Sequence, residues 1–486
     1  MASTLLITPI ITFVFWKTYT ALTNPLRHLP GPWISKWTNI RFQWAVMTGD
    51  RARYEHALHQ RYGPIVRIGL REVSLASVSA AKVVYQIGSP YHKPAWYGIA
   101  TGLGDTALFT MRDPKAHGVR RRLLAHNYSE NWIKQMEPYI AEKTRIAVEK
   151  MAEDLNTTGY TDVKKWFTFM ATDVVSEAAF GESFDTLKSG KKTQYIIDLE
   201  NDGLRGFIRA EFPLLSKLVA YMMFGSANEV SAGLNRMEEY AEDRISRYFE
   251  AYRADPDSVK PTLMSTAFSA VEDGALPKAA IQADAMTNII AGTDTSAITA
   301  TYATWHLSQD PNLEKALIEE VAILPRHFTE EHLIKLPLLN KVIKETLRIR
   351  PPVGQGLPRV VPEGGAHFEG HFIPGGTTVA LPAYAMHHLP QVWTNPESFD
   401  PSRWNDATKD MQSAFLPFGG GSRVCIGQHF AMLEMRHALA NFYRTFDQGM
   451  RPAWMNGFTK DDMKPVSFFV TAPKGHRCLL AKRIQH

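Results

Sequence analysis

Residues 418–427 read FGGGSRVCIG: a run of three glycines, an arginine, and one of only two cysteines in a chain of 486 residues. Four readings compete for such a stretch: a flexible linker, a phosphate-cradling loop, half of a metal site, or a lone thiolate ligand. The aromatic residue before the glycines and the apolar run after Cys425 do not suit a solvated linker. No Gly-Lys-Ser/Thr follows, as a phosphate loop requires. Cys478 stands far away and no CxxC pair exists, so neither a disulfide framework nor a Cys-rich zinc site can form. What remains is a glycine-rich turn that lets the backbone approach something large and sets a thiolate at the start of a helix. Ala431, Met435, Ala438 and Phe442 form that helix's apolar stripe, and free N–H groups at its start favour the thiolate. Such a thiolate can be an axial ligand to haem iron.

Working outward, 486 residues can bury a large core, and 45% hydrophobic with 21% charged residues is ordinary globular composition. The net charge of +5 and pI near 8.9 exclude the dense basic stripe of a nucleic-acid binder. They suit an anionic membrane surface or an acidic protein partner. Sparse cysteine fits a reducing compartment. Residues 1–16 carry no charged side chain. A helix reaching Leu22 would be about 33 Å long, which predicts a transmembrane anchor over 1–23. No basic leading region or small-x-small cleavage site marks a signal peptide. Lys17, Arg27 and Lys36 follow the apolar stretch, so the body is expected in the cytosol, on the endoplasmic reticulum membrane. The sequons at Asn127 and Asn156 would then stay unmodified. Residues 24–45, rich in proline, read as a stiff connector, and 46–486 as one body. Alternation over 63–77 predicts paired strands, and helical periodicity dominates from about Ala80 to Leu347. A run from 277 to about 308 predicts one helix of roughly 45–50 Å. Pro- and Gly-rich strand-like pieces fill 351–404 and the C-terminus. The expected fold is mainly α, a large helical body with a smaller β-rich region.

The residues Phe418, Gly421, Arg423, Cys425 and Gly427 resemble the haem-binding stretch of the cytochrome P-450 haem-thiolate monooxygenases. Three further stretches stand in that family's order. AGTDTS, 291–296, lies mid-way along the predicted long helix. A small residue, Ala291, leaves room for O₂, Gly292 permits a local widening or kink, and an acid beside an alcohol can relay protons. The resemblance implies that Thr295 holds the reacting oxygen and Asp294 feeds protons. KETLR places Glu345 and Arg348 on one helix face. The resemblance adds Arg403, in FDPSRW, as third member of a buried ionic network bracing the Cys425 loop. In this chain Ser402 and Trp404 replace the more usual Glu and Phe. HGVRRRLLAHNYS, 117–129, supplies His117 and Arg121 at the family's spacing for haem propionates, and Arg423 and Arg359 match other propionate positions. Arginine suits carboxylates through its planar fork.

The resemblance implies haem b buried between the long helix and the Cys425 loop, with Cys425 as iron ligand. It also implies insertion of one oxygen atom from O₂ into a small lipophilic substrate. Electrons would come from NADPH through a separate flavin reductase, with a small haem electron carrier as a further partner. No dinucleotide or flavin fingerprint is present, which fits electrons arriving from a partner. The style of 25–32 and 117–129 is similar to enzymes of filamentous fungi active in secondary metabolism. Two other readings stay open: an O₂-independent haem-thiolate isomerase or dehydratase, and a non-catalytic membrane-anchored binding protein. Candidate substrate walls are the loop 89–112, the segment 207–224, the long helix near Ala291, and 353–357.

Overall fold

Apolar residues at helical spacing fold the middle of the chain into helices packed on one another. The computed structural model describes residues 2–213, 216, 228–255 and 258–483. The helices that position the site are α1 (Ala2–Thr23), α2 (Ile40–Met47), α3 (Pro114–Ala125), α4 (Val163–Phe180), α5 (Lys278–Gln309), α6 (Pro337–Ile349) and α7 (Gln428–Thr445).

The predicted long helix is α5, 32 residues or about 48 Å. Pro277 precedes it in extended backbone, and Asp310 ends it by capping the next helix, which starts at Pro311. It packs along α4, which buries every residue from 166 to 180. At Gly292 a Cβ would meet Val175 Cγ2 at 2.5 Å. The glycine therefore serves the close crossing of two helices. Helix α5 is assigned without a break through Gly292, since losing a side chain there costs no backbone hydrogen bond.

The alternation at 63–77 yields β1 (Ile65–Arg67) and β2 (Glu72–Leu75), antiparallel with Ile65 opposite Leu75. They join β3 (Arg359–Val360) and β4 (Thr378–Ala380) in a sheet of order β1-β2-β4-β3. Strand β4 runs parallel to β2 and antiparallel to β3, placing Arg359 opposite Val379. This sheet covers a second core containing Leu26, Leu75, Val379 and Trp393. Near the C-terminus, Pro465–Ser467 pairs with Thr471–Pro473, and Leu479–Lys482 pairs with Met450–Pro452.

The chain-start helix forms as α1. Among the described residues, however, no helix is long and apolar enough to cross a membrane, which corrects the expected transmembrane span. Its sequence gives the reason: six threonines, Ser3, Pro9 and Lys17 dilute the apolar run. The proline-rich stretch after it is tied down rather than free. Leu26 and Leu29 are buried, and the Pro30 carbonyl accepts the Arg67 N–H at 2.7 Å. Gly31, at φ +151°, lies so close to β1 that a Cβ would meet the Arg67 carbonyl oxygen at 2.4 Å. Helix α2 runs across the boundary drawn at residue 46. Asn127 is fully buried, its amide on the carbonyls of Thr262 and Leu263, which leaves no room for a glycan. Of the segment 207–224, expected as a pocket wall, residues 214–215 and 217–224 lie outside the described residues.

Candidate active site

The Cys425 N–H donates to the Phe418 carbonyl at 2.8 Å, closing 418–425 as a tight turn ahead of α7. Gly419 and Gly421 take φ of +71° and +60°, the region open to glycine. At Gly421 a Cβ would also meet the Tyr85 carbonyl oxygen at 2.2 Å, so a close chain crossing requires this glycine. Gly427, at φ −84°, is conformationally ordinary, and a Cβ there would sit 4.0 Å from Cys425 Sγ. Cys425 has accessible surface of its own although protein surrounds it on all sides. Ala291 is likewise exposed while Ile289 and Thr293 beside it on α5 are buried. Cys425 thus keeps open surface within surrounding protein. Burial pushes the Cys425 thiol up, opposed by the Gly427 N–H and the Arg121 guanidinium. Such a thiol becomes a thiolate outright when it coordinates a metal ion.

Beside this turn stands a cradle of cations. His117 and Arg121 come from α3, Arg359 from β3, Arg423 from the turn itself. Arg121 donates to the Val424 carbonyl at 2.8 Å, Arg423 to the carbonyls of Met111 and Arg112, and Arg359 to the Tyr97 hydroxyl at 2.9 Å. Sequence reasoning missed a fifth member, Lys93, fully enclosed, with its ammonium over the rings of Tyr97 and Phe109. Burial, then Arg359, Arg423 and Arg121, hold the Lys93 ammonium well below its usual range. Burial, then the same arginines and Lys93, bring His117 down to about 3. Burial and Arg359 lower Arg423 to about 10. Among the described residues no carboxylate forms a salt bridge with any of these cations, so the cradle is built for anions brought by something else. The two carboxylates of a haem, beside a thiol that keeps open surface, fit that donor set. A lysine set between aromatic residues in YHKPAWY, 91–97, was the available sign.

Glu345 and Arg348 form a bidentate pair with both side chains fully buried. Arg403 Nε donates to Glu345 at 2.9 Å and the Trp404 indole N–H at 3.0 Å. The tryptophan in place of the family's usual phenylalanine therefore adds a hydrogen bond to the network. Arg348 further donates to the carbonyls of His387, Pro396 and Ser398. The sequence did not reveal His387, which links this network to the Cys425 turn. Its Nδ1 donates to the Arg348 carbonyl and its Nε2 accepts the Leu416 N–H, a neutral-ring arrangement.

Burial, opposed by the Arg348 carbonyl and aided by its guanidinium, brings His387 down to about 3, and His388 beside it falls to about 2. In the unfolded chain both rings take up protons below about 6.5, while in the folded protein they do not. The unfolded state therefore binds more protons between about pH 6.5 and 3, and stability falls as pH falls through that window. Each ring contributes at most about 1.4 kcal/mol per pH unit. Thermal unfolding followed from pH 7 to 5 should show this slope, and His387→Gln should flatten it. An unchanged slope in the variant would remove His387 from the explanation.

On α5, Thr295 Oγ1 donates to the Ala291 carbonyl at 2.7 Å and, with Asp294, is half-buried beside exposed Ala291. Glu434 on α7 is a further carboxyl that sequence reasoning missed. It faces Ser296, one oxygen has no partner, and burial raises it to about 7 against the Ser296 hydroxyl. The Glu434 carboxyl thus lies against Ser296, the residue that follows Thr295 on α5.

The cytochrome P450 family model matches residues 30–477. The chain is 40% identical to the cytochrome P450 monooxygenase tazI of Aspergillus terreus over 473 residues, covering 97% of this chain and 96% of that one. It is 36% identical to the monooxygenase orf2 of Aspergillus niger, covering 95% and 94%. It is 32% identical to the monooxygenase stcB of Emericella nidulans, covering 95% and 89%. A thiol turn, a cation cradle and a long helix with a small-residue face define a haem-thiolate enzyme. The chain belongs to the cytochrome P450 family and is a haem-thiolate monooxygenase whose cofactor is a thiolate-ligated haem.

Proposed function

We propose that this monooxygenase inserts one oxygen atom from O₂ into a lipophilic organic substrate of natural-product metabolism, with NADPH electrons from a separate flavin reductase. The observation that carries this is the cation cradle beside the Cys425 turn, with no carboxylate salt-bridged to it among the described residues; the half-buried Asp294–Thr295 pair beside exposed Ala291 adds to it. Filamentous-fungal relatives support the natural-product setting. When bound, a haem held by Cys425 supplies O₂ activation. His117, Lys93, Arg121, Arg359 and Arg423 would hold its carboxylates, Phe418 would pack near its ring, and Ala291 leaves space in front of it. Thr295, whose hydroxyl here donates to the Ala291 carbonyl, would hold a proton beside the reacting oxygen, and Asp294 would resupply it.

The test is turnover of purified holoprotein with reductase, NADPH and O₂. Product carrying label from ¹⁸O₂ supports the reading; turnover without NADPH would show an isomerase or dehydratase instead. Thr295→Ala should lower product formation by on the order of 100-fold, the usual scale for a lost proton-transfer group. NADPH oxidation should persist, with oxygen leaving as hydrogen peroxide. Retained product yield per NADPH would rule out the relay.

We further propose that residues 46–486 form the catalytic unit and that 1–45 holds it, cytosol-facing, at the surface of the endoplasmic reticulum membrane. The exposed apolar side chains of Phe15, Trp16, Trp33, Ile40 and Trp44 support this. Flotation with phosphatidylcholine–phosphatidylserine vesicles should fail for Trp33→Ser/Trp44→Ser protein lacking 1–23; undiminished flotation would argue against it.

A further inference from the structure

Residues 108–112 form neither helix nor strand, yet Leu108 and Thr110 are buried. A buried irregular strap must find partners for its backbone groups elsewhere. The N–H groups of Thr110 and Met111 turn back onto the Ala107 carbonyl, and charged side chains supply other partners. The Leu108 N–H donates to Asp284 Oδ1 at 2.6 Å. The Phe109 carbonyl accepts from Lys93, and the carbonyls of Met111 and Arg112 accept from Arg423 at 2.8 and 3.2 Å. Lys93 and Arg423 belong to the cradle. Asp284 does not.

Asp284 lies on α5, 4% exposed. Its Oδ2 receives Arg120 Nε at 2.8 Å and Nη2 at 2.7 Å, and Arg120 Nη2 also donates to the Ala280 carbonyl at 2.5 Å. One carboxylate thus joins α5, α3 and the strap. Burial pushes the Asp284 carboxyl up and Arg120 opposes this; a charged acceptor grips an N–H more strongly than a neutral one. Asp284 also precedes Ala291 by seven residues, which places both on one face of the helix. The strap is therefore held against the face of α5 that carries exposed Ala291. Its other end is fastened by Arg423, two residues from Cys425.

We propose that Asp284 is a positioning residue for the substrate-facing loop 89–112. It fixes 108–112 against α5, and this sets the shape of the wall in front of Ala291. The proposal rests on the monooxygenase reading of that site.

The test uses full-length holoprotein carrying Asp284→Asn or Asp284→Ala. Amide hydrogen exchange is read on peptides covering 103–112 and on α4 and α6, and the ferric spectrum is titrated with 4-phenylimidazole. Loss of the acceptor in Asp284→Ala should speed strap exchange about tenfold or more while α4 and α6 stay unchanged. Asp284→Asn, a weaker acceptor, should speed it about threefold. The Kd for 4-phenylimidazole should rise at least about fivefold in Asp284→Ala, because a loosened wall binds with more entropy lost. Strap exchange at the wild-type rate in both variants would overturn the proposal. So would an equal rise in α4, which would mean fold maintenance only. If Asp284→Ala loses the red-shifted band of the reduced carbon monoxide complex, strap exchange in Asp284→Asn decides the matter in its place. Wild-type protein lacking that band would count against the monooxygenase reading; the exchange rates would still decide the role of Asp284 in the strap.

Discussion

Cys425→Ser should abolish the red-shifted Soret band that reduced thiolate-ligated haem gives with carbon monoxide, and turnover should fall by on the order of 1,000-fold or more. The physical reason lies in the turn. Burial raises the free thiol, and only the Gly427 N–H and Arg121 favour its anion. A serine hydroxyl at the same place is a far weaker acid and does not donate electron density as sulfur does. Cys478 is the internal control. It is fully buried where Leu479–Lys482 meets its neighbouring strands, with its N–H on the Asp162 carboxylate. Cys478→Ser should keep the band in place. A band kept by Cys425→Ser, or lost only in Cys478→Ser, would overturn the assignment of the ligand.

Glu345→Ala should destabilise the protein by about 3–5 kcal/mol, the range for removing one partner of a buried charge pair. Glu345 accepts five hydrogen bonds, from Arg348 twice, Arg403, Trp404 and the Asp400 N–H. Without it two guanidinium groups remain in the interior uncompensated. Trp404→Phe removes one of the five and should cost about 1 kcal/mol. Chemical denaturation of both variants, with haem content measured alongside, checks this. Equal losses in the two would mean that the carboxylate does not organise the network. Haem content should fall in Glu345→Ala because His387, held by Arg348, positions Leu416 ahead of the Cys425 turn.

Local features of the site were legible in the sequence. The thiol turn, the i,i+3 pair of Glu345 and Arg348, and the small-residue face of the long helix each lie within a few residues. The helical body and the first strand pair were equally readable, because periodicity is local. What stayed hidden depends on distant partners. Lys93 becomes a cradle residue only because β3 and α3 bring Arg359 and Arg121 beside it. His387 and Glu434 read as ordinary polar residues until the fold sets them against Arg348 and Ser296. Gly292 and Gly421 were rightly noticed as special, but their reasons are Val175 and the Tyr85 carbonyl, each far away in sequence. At the N-terminus the apolar run suggested a span, while its threonines, proline and lysine leave a helix that does not qualify as one.

The crossing of Gly421 over Tyr85 has a consequence for how the protein is made. Ser422 accepts the Gly88 N–H across 334 residues of chain, so the iron-ligand turn is shaped by a segment synthesised long before it. Contacts of such long range form late and slowly. During translation the early segment around residue 85 must wait, its partner missing, until almost the whole chain has left the ribosome. Haem ligation by Cys425 must then await the emergence of residues 418–427, and a chain ending before the turn lacks the thiol ligand.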